Sequence, residues 1–286
     1  MDHIREAVER AKKSRPAGQS QSLPEKPLAG SQINLAGIAH LTSHPEIMLD
    51  PAHLESKRII AHDIADSRSR SFDMLRTQVL QPMDMKSWHL LGVTSPTAGC
   101  GKSVISLNLA FSIARQPDRS VLLVDMDFQR PKIADYLGLR CEHGILSVLE
   151  GKTDLRSAVV PTRIRNQQLL VLPCEASTLH SSEWMASRQM SALLKDIRRN
   201  FQGYTIILDF PPILAGDDFI SIVSQIDCVL FVAAAGLSTK TEIKECNKHL
   251  ENTSVVRVVV NKAMDSSATY YYSRYGSDSK PSITNR

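Results

Sequence analysis

Three short stretches of this 286-residue chain carry side chains suited to phosphate chemistry. The first is TSPTAGCGKSV, residues 94–104. Gly99 and Gly101 let the backbone curl so that successive N–H groups point inward, and a helix starting there adds its own free donors. Such a loop cradles the β- and γ-phosphates of a nucleotide. Lys102 adds a point charge for the same oxygens, and Ser103 supplies a hydroxyl ligand for Mg²⁺. The expected nucleotide contacts are therefore Ala98, Gly99, Cys100, Gly101, Lys102, Ser103 and Val104. The general pattern G-x-x-x-x-G-K-[ST] asks for a glycine at position 96, where this chain has Pro96; the GCGKS end is intact.

The second stretch, VLLVDMDFQRP, is an apolar run ending in Asp125 and Asp127; the third, YTIILDFPP, ends in Asp209. If both runs are parallel strands beside the loop, three carboxylates reach one sheet edge. Buried acids there repel one another unless a cation lies between them. Mg²⁺ bridging the phosphates is the expected cation, with Ser103, Asp127 and Asp209 as its ligands. A single Asp at a strand end is usually a turn or cap residue; three beside a GKS loop point to a site.

These side chains need a sheet to position them. HLLGVTS (89–95), SVLLVDMD (120–127), QLLVLP (168–173), YTIILDF (204–210), CVLFVAAA (228–235) and VVRVVVN (255–261) read as strands. Helical patterns at 102–116, 181–201, 216–225 and 239–251 separate most of them, and Phe72, Leu75 and Val79 share one face of an earlier helix. Apolar strands alternating with helices predict an α/β fold with a mostly parallel sheet flanked by helices on both faces. Ligands of such sheets bind at the carboxyl ends of the strands. Residues 59–263 form the expected domain. Residues 1–13 read as a short amphipathic helix, 14–58 as a disordered linker rich in Ser, Pro, Gln and Gly, and 264–286 as a flexible tail.

The composition excludes several classes. Apolar residues are 42% and charged residues 22%, with a net charge of +4, which suits a soluble domain and gives no sign of a nucleic-acid partner. Five cysteines without a CxxC pair argue for a reducing cytoplasm. The charged N-terminus lacks a signal-peptide apolar region, and no run approaches the roughly 18 apolar residues of a spanning helix.

With these motifs the chain resembles the bacterial tyrosine autokinases (BY-kinases) of polysaccharide synthesis and export. The resemblance covers about residues 65–275. It rests on SPTAGCGKS, VLLVDMDFQRP and TIILDFPP as the Walker A, A′ and B motifs, with FDMLRT, GILSVLEGKTDL and a tyrosine-rich end. The linker and N-terminal helix resemble the exosortase-linked subgroup. The resemblance implies a P-loop NTPase fold of the MinD/ParA-like class, with ATP and Mg²⁺ bound. It implies γ-phosphoryl transfer to Tyr270, Tyr271, Tyr272 and Tyr275, four of the chain's six tyrosines. Lys102, Asp125 and Asp127 are the implied catalytic residues. Asp125 accepts the tyrosine proton, though Asp125 and Asp127 could exchange roles. Asn261 contacts adenine, and Arg130 either orients the A′ loop or forms a surface ion pair. The implied partners are further copies of the chain, a separately encoded membrane activator of the polysaccharide co-polymerase type, and a phosphotyrosine phosphatase. The implied location is the cytoplasm, peripherally at the inner membrane face through that activator.

Two departures bear on this reading. Arg70, Asp73 and Arg76 stand where the family often has Glu-x-x-Arg-x-x-Arg for self-association, so the first two charges are exchanged. Cys100 occupies a position often acidic in the family, where a thiol at a helix N-terminus can be redox-sensitive. Two alternatives remain: a MinD/ParA-like ATPase, which would carry a lysine where this chain has Thr97, and a non-catalytic ATP-binding regulator of an export complex.

Overall fold

The computed structural model of the chain describes residues 42–263. The helix expected at 1–13 and the tail expected at 264–286 lie outside the described residues.

In chain order the first strand is β1 (Ile47–Met48), followed by helices α1 (Pro51–Ser56) and α2 (Arg70–Met85). β2 (Leu90–Thr94), α3 (Lys102–Ala114) and β3 (Ser120–Asp125) follow, then three short helices, α4 (Ile133–Leu137), α5 (Ile145–Leu149) and α6 (Leu155–Ala158). β4 (Val160–Ile164) and β5 (Gln167–Leu172) precede α7 (Ser181–Met185) and α8 (Arg188–Asn200). The rest is β6 (Tyr204–Asp209), α9 (Asp218–Ile222), β7 (Cys228–Ala234), α10 (Lys240–Leu250) and β8 (Val255–Asn261). The eight strands form one sheet in the order β1-β4-β5-β3-β6-β2-β7-β8, parallel except for the β4–β5 pair. The predicted α/β class with a mostly parallel sheet is therefore observed.

Side-chain alternation splits the core in two. Leu90, Leu122 and Val124 face α5, α8 and α10. Leu91, Val93 and Leu123, from the same strands, face α2 and α3. Helix α3 is buried on nearly every side, with Ile105, Leu107, Leu109 and Phe111 at 5% exposure or less. A helix apolar all round belongs in an interior, and this one holds the phosphate loop at its N-terminus against the middle of the sheet.

Three expectations change. The linker read over 14–58 does not extend through 42–58. Thr42 Oγ1 donates to the Val159 carbonyl at 2.6 Å, β1 pairs with β4, and Asp50 caps α1 by accepting from Ala52 N at 2.9 Å. Pro51 sits at the first position of that helix, where its missing N–H costs nothing, and Leu54 is fully buried. The helix expected over 181–201 is two helices, because Ser187 is extended and its hydroxyl accepts from Met190 N at 3.0 Å, capping α8. Strand β4 was not expected. It forms an antiparallel hairpin with β5 through Arg165, which takes a positive φ of 50°.

Candidate active site

Strand register assembles the acids. Asp125 is the direct partner of Asp209, and Asp209 is the partner of Val93, two residues before the start of the loop at Ser95. All three acidic side chains predicted for the site, with Lys102 and Ser103, come to one end of the sheet. Lys102 Nζ lies 2.8 Å from Asp127 Oδ2 and 3.7 Å from Asp209 Oδ2. Ser103 Oγ donates to Asp209 Oδ2 at 2.6 Å, and Ser106 Oγ donates to Asp209 Oδ1 at 2.8 Å.

The loop owes its shape to Gly101, at φ +90°, a region that residues with a Cβ rarely adopt. A Cβ there would also collide with Asn261 Nδ2. That amide donates to the Cys100 carbonyl at 2.9 Å, and Asn261 Oδ1 accepts from Lys262 N at 2.9 Å. Asn261, expected to contact adenine, has its carboxamide engaged with the chain itself and braces the loop. Cys100 is 1% exposed, with its thiol against Ser238 Oγ at 3.5 Å. Burial of this kind makes a thiol inert, so the expected redox sensitivity has no accessible sulfur.

Asp125 and Asp127 occupy different places. Asp125 is fully buried and accepts backbone N–H groups of Asp127 (3.2 Å), Lys132 (2.9 Å) and Ile133 (3.0 Å). Burial, and then the Asp209 charge, push its pKa up to about 7 against the opposing hydrogen bonds and Lys102. Burial raises Asp209 as well, against Lys102 and the two serine hydroxyls. Burial pulls Lys102 down, but Asp209, Asp127 and Asp125 outweigh it and its pKa is raised.

A cavity of about 770 Å³ opens over the loop. Ala98, Gly99, Gly101, Lys102, Ser103, Val104 and Asp127 are among its lining residues, and Asp125 is not. Of the two acids whose roles the sequence left exchangeable, Asp125 accepts from the A′ loop backbone and Asp127 lines the cavity. Arg130 also lines the cavity and makes no side-chain ion pair among the described residues; its backbone N–H donates to Asp127 Oδ1 at 3.0 Å.

The residues also fit a divalent cation. A hydroxyl and carboxylates in contact are the hard oxygen donors Mg²⁺ prefers. Among the described residues no group of three or more His, Cys, Asp or Glu side chains could hold a metal alone. Ser103, Asp209 and Asp127 would therefore hold Mg²⁺ only together with phosphate or water oxygens.

Residues missed from the sequence include Ser106, Asn108 and Gln129. Ser106 lies one helical turn after Ser103, and that spacing was the available signal. Gln129 lines the cavity and is held by Ser181 Oγ and Asp218 Oδ2, both at 3.0 Å. Asp73 and Arg76, considered for subunit contacts, are used within the chain. Asp73 Oδ1 accepts from Ser112 Oγ at 2.7 Å, from Arg76 at 3.2 Å and from Arg115. Arg76 also donates to the Ser112 carbonyl at 2.9 Å. These charges clamp α2 to α3.

No helix among the described residues is long and apolar enough to cross a membrane. Residues 91–272 match the family model described as the CobQ/CobB/MinD/ParA nucleotide binding domain. EpsB of Ralstonia nicotianae is 30% identical over 268 residues, which is 90% of this chain and 34% of EpsB. The tyrosine-protein kinase ptk of Acinetobacter johnsonii is 32% identical over 199 residues, 70% of this chain and 26% of ptk. The chain thus spans about a third or less of the length of these curated relatives. The solved kinase domain of the Escherichia coli tyrosine kinase ETK superposes with a TM-score of 0.62 at 27% identity, covering 71% of this chain and 80% of that one.

Proposed function

Because the chain belongs to the CobQ/CobB/MinD/ParA nucleotide binding domain family, we propose that it binds Mg-ATP on the 98–104 loop and transfers the γ-phosphoryl group to tyrosine. The acceptors are Tyr270, Tyr271, Tyr272 and Tyr275, which lie outside the described residues. The observation that carries the reading is the convergence of Lys102, Ser103, Asp127 and Asp209 at the mouth of the loop. Names of relatives and the tyrosine cluster support the choice of acceptor.

In this reading the tyrosine oxygen attacks the γ-phosphorus, the bond to the β–γ bridging oxygen breaks, and ADP leaves with that oxygen. Positioning and charge neutralisation do most of the work. The loop N–H groups and Lys102 take the phosphate oxygens. As Lys102 turns to them, its 2.8 Å pair with Asp127 is released, and Asp127 is free to accept the tyrosine proton. Asp125 keeps the A′ loop in place through the three N–H groups it accepts. Ser103 and Asp209, with Asp127 through a water, would hold Mg²⁺ beside the phosphates, and the ion would supply charge neutralisation there.

The family resemblance extends the proposal to regulation of polysaccharide synthesis and export, with further copies of the chain, a separately encoded membrane activator and a phosphatase as partners. The test is incubation with γ-labelled ATP and Mg²⁺, followed by peptide mapping. Label on tyrosines of the 270–275 cluster, absent in Lys102→Met, is the expected result. Free phosphate without phosphotyrosine would instead identify a MinD/ParA-like ATPase, and neither product would identify a non-catalytic regulator.

A further inference from the structure

The cavity is lined by more than the loop and its acids. Lys57, Arg58, Lys132 and Tyr136 line it together with the loop and form a basic wall. Arg58, Lys132 and also Arg130 make no side-chain ion pair among the described residues. Lys57 pairs at 3.0 Å with Asp135, whose carboxylate is 58% exposed, and its ammonium stands 5.8 Å from the centre of the Tyr136 ring. Lys102, by contrast, is already neutralised by Asp127 and Asp209.

The wall is built, not a chance gathering of surface lysines. Arg58 holds a φ of +64°, which a side-chain-bearing residue keeps only where its surroundings fix it. The fixing group is the buried Asn108. Its Nδ2 donates to the Arg58 carbonyl at 3.0 Å, and its Oδ1 accepts from Ile60 N and Ala61 N at 2.8 and 2.9 Å. On the other side, Asp125 anchors the backbone of Lys132 at 2.9 Å. Two fixed segments therefore aim unpaired cations and an aromatic face into a cavity that already accommodates a phosphate loop. Phosphate on an aromatic ring matches this lining: a charge near −2 for the cations and a ring for Tyr136.

We propose that the Lys57–Arg58–Lys132 wall with the Tyr136 ring is a phosphotyrosine subsite. It holds an already phosphorylated tyrosine while the next tyrosine of the same segment meets the loop. This rests on the kinase reading for the identity of the segment, the 270–275 cluster of a second copy. Tyr270, Tyr271 and Tyr272 are consecutive, and adjacent residues of an extended segment are only about 3.5 Å apart along the chain. One segment can thus present a phosphate and a free hydroxyl to the same cavity, and a first phosphate favours the second transfer.

The experiment uses full-length chain with Tyr270, Tyr271, Tyr272 and Tyr275 changed to Phe, loaded with Mg²⁺ and a non-hydrolysable ATP analogue. A fluorescent peptide of residues 266–278 is titrated with and without phosphate on Tyr272. The phosphorylated peptide is expected to bind about tenfold tighter, through new charge-assisted hydrogen bonds. Lys57→Gln with Lys132→Gln is expected to erase the difference, and so is Arg58→Lys with Tyr136→Ala. Melting curves of each variant confirm folding. Equal affinity for the two peptides, or a preference that survives both pairs of substitutions, would overturn the subsite. Preference for the phosphopeptide without any transfer from ATP would keep the subsite and reject the kinase reading. Transfer from ATP without that preference would reject the subsite alone.

Discussion

Asp125 and Asp209 are register partners on adjacent parallel strands, and both carboxylates are fully buried at the same end of the sheet. Burial raises both pKa values, that of Asp125 from 3.8 to about 7. Between about pH 4 and 7 the folded chain therefore binds more protons than the unfolded chain, and stability falls as pH rises through that window. The slope reaches about 1.4 kcal/mol per pH unit at most for one group. Melting temperature, measured without nucleotide or metal from pH 5 to pH 8, is expected to decline. Asp125→Asn should flatten the profile, since the amide oxygen can still accept from Lys132 N and Ile133 N. A wild-type profile flat across the window would remove the buried acid pair from the account.

Lys102 carries the ammonium that faces Asp127 and Asp209. Lys102→Met should lower the initial rate of phosphotyrosine formation by about 10²-fold or more, as loss of a preorganised charge at a phosphoryl site does. The rate is read at saturating Mg-ATP by quantitative mass spectrometry. A loss under threefold would mean that the loop lysine is not at the transferring group.

Asn108 ties α3 to the 58–61 segment through hydrogen bonds to Arg58, Ile60 and Ala61. Asn108→Ala leaves two buried backbone N–H groups without a partner, at about 1–3 kcal/mol each. Urea unfolding should show a loss of about 2–6 kcal/mol. A change below 0.5 kcal/mol, on the order of a surface substitution, would show that the segment is not held this way.

Gly101→Ala meets both the positive φ and Asn261 Nδ2. Affinity for a Mg-ATP analogue should fall by about tenfold or more, because the loop N–H groups can no longer converge. Asn261→Ala in the same chain should not restore it, since the backbone strain remains; restoration would trace the defect to the side-chain clash alone.

The parts of the molecule legible in the sequence were those with a strong local pattern. Strands such as SVLLVD and CVLFVAA are apolar along nearly their whole length, and that pattern fixes a buried parallel sheet. GCGKS and the acidic strand ends located the site because parallel register brings strand ends together. Strand β4 was hidden because VPTRI is short and its hairpin turns at Arg165 without a glycine. Helix α1 was hidden inside a Pro- and Ser-rich stretch, although Asp50-Pro51 is a helix-start signal. The separation of Asp125 from Asp127 could not be read, since it depends on which of two neighbouring side chains turns into the core. The same is true of Asn261, whose amide is used on the loop only because β8 ends beside it.

Calorimetric titration of the purified full-length chain with a non-hydrolysable ATP analogue, with and without Mg²⁺, tests the central claim most directly. The account predicts stoichiometric binding with Mg²⁺, at least about tenfold weaker in its absence and lost in Lys102→Met. Absence of binding to the wild-type chain, or binding indifferent to both Mg²⁺ and Lys102, would contradict it.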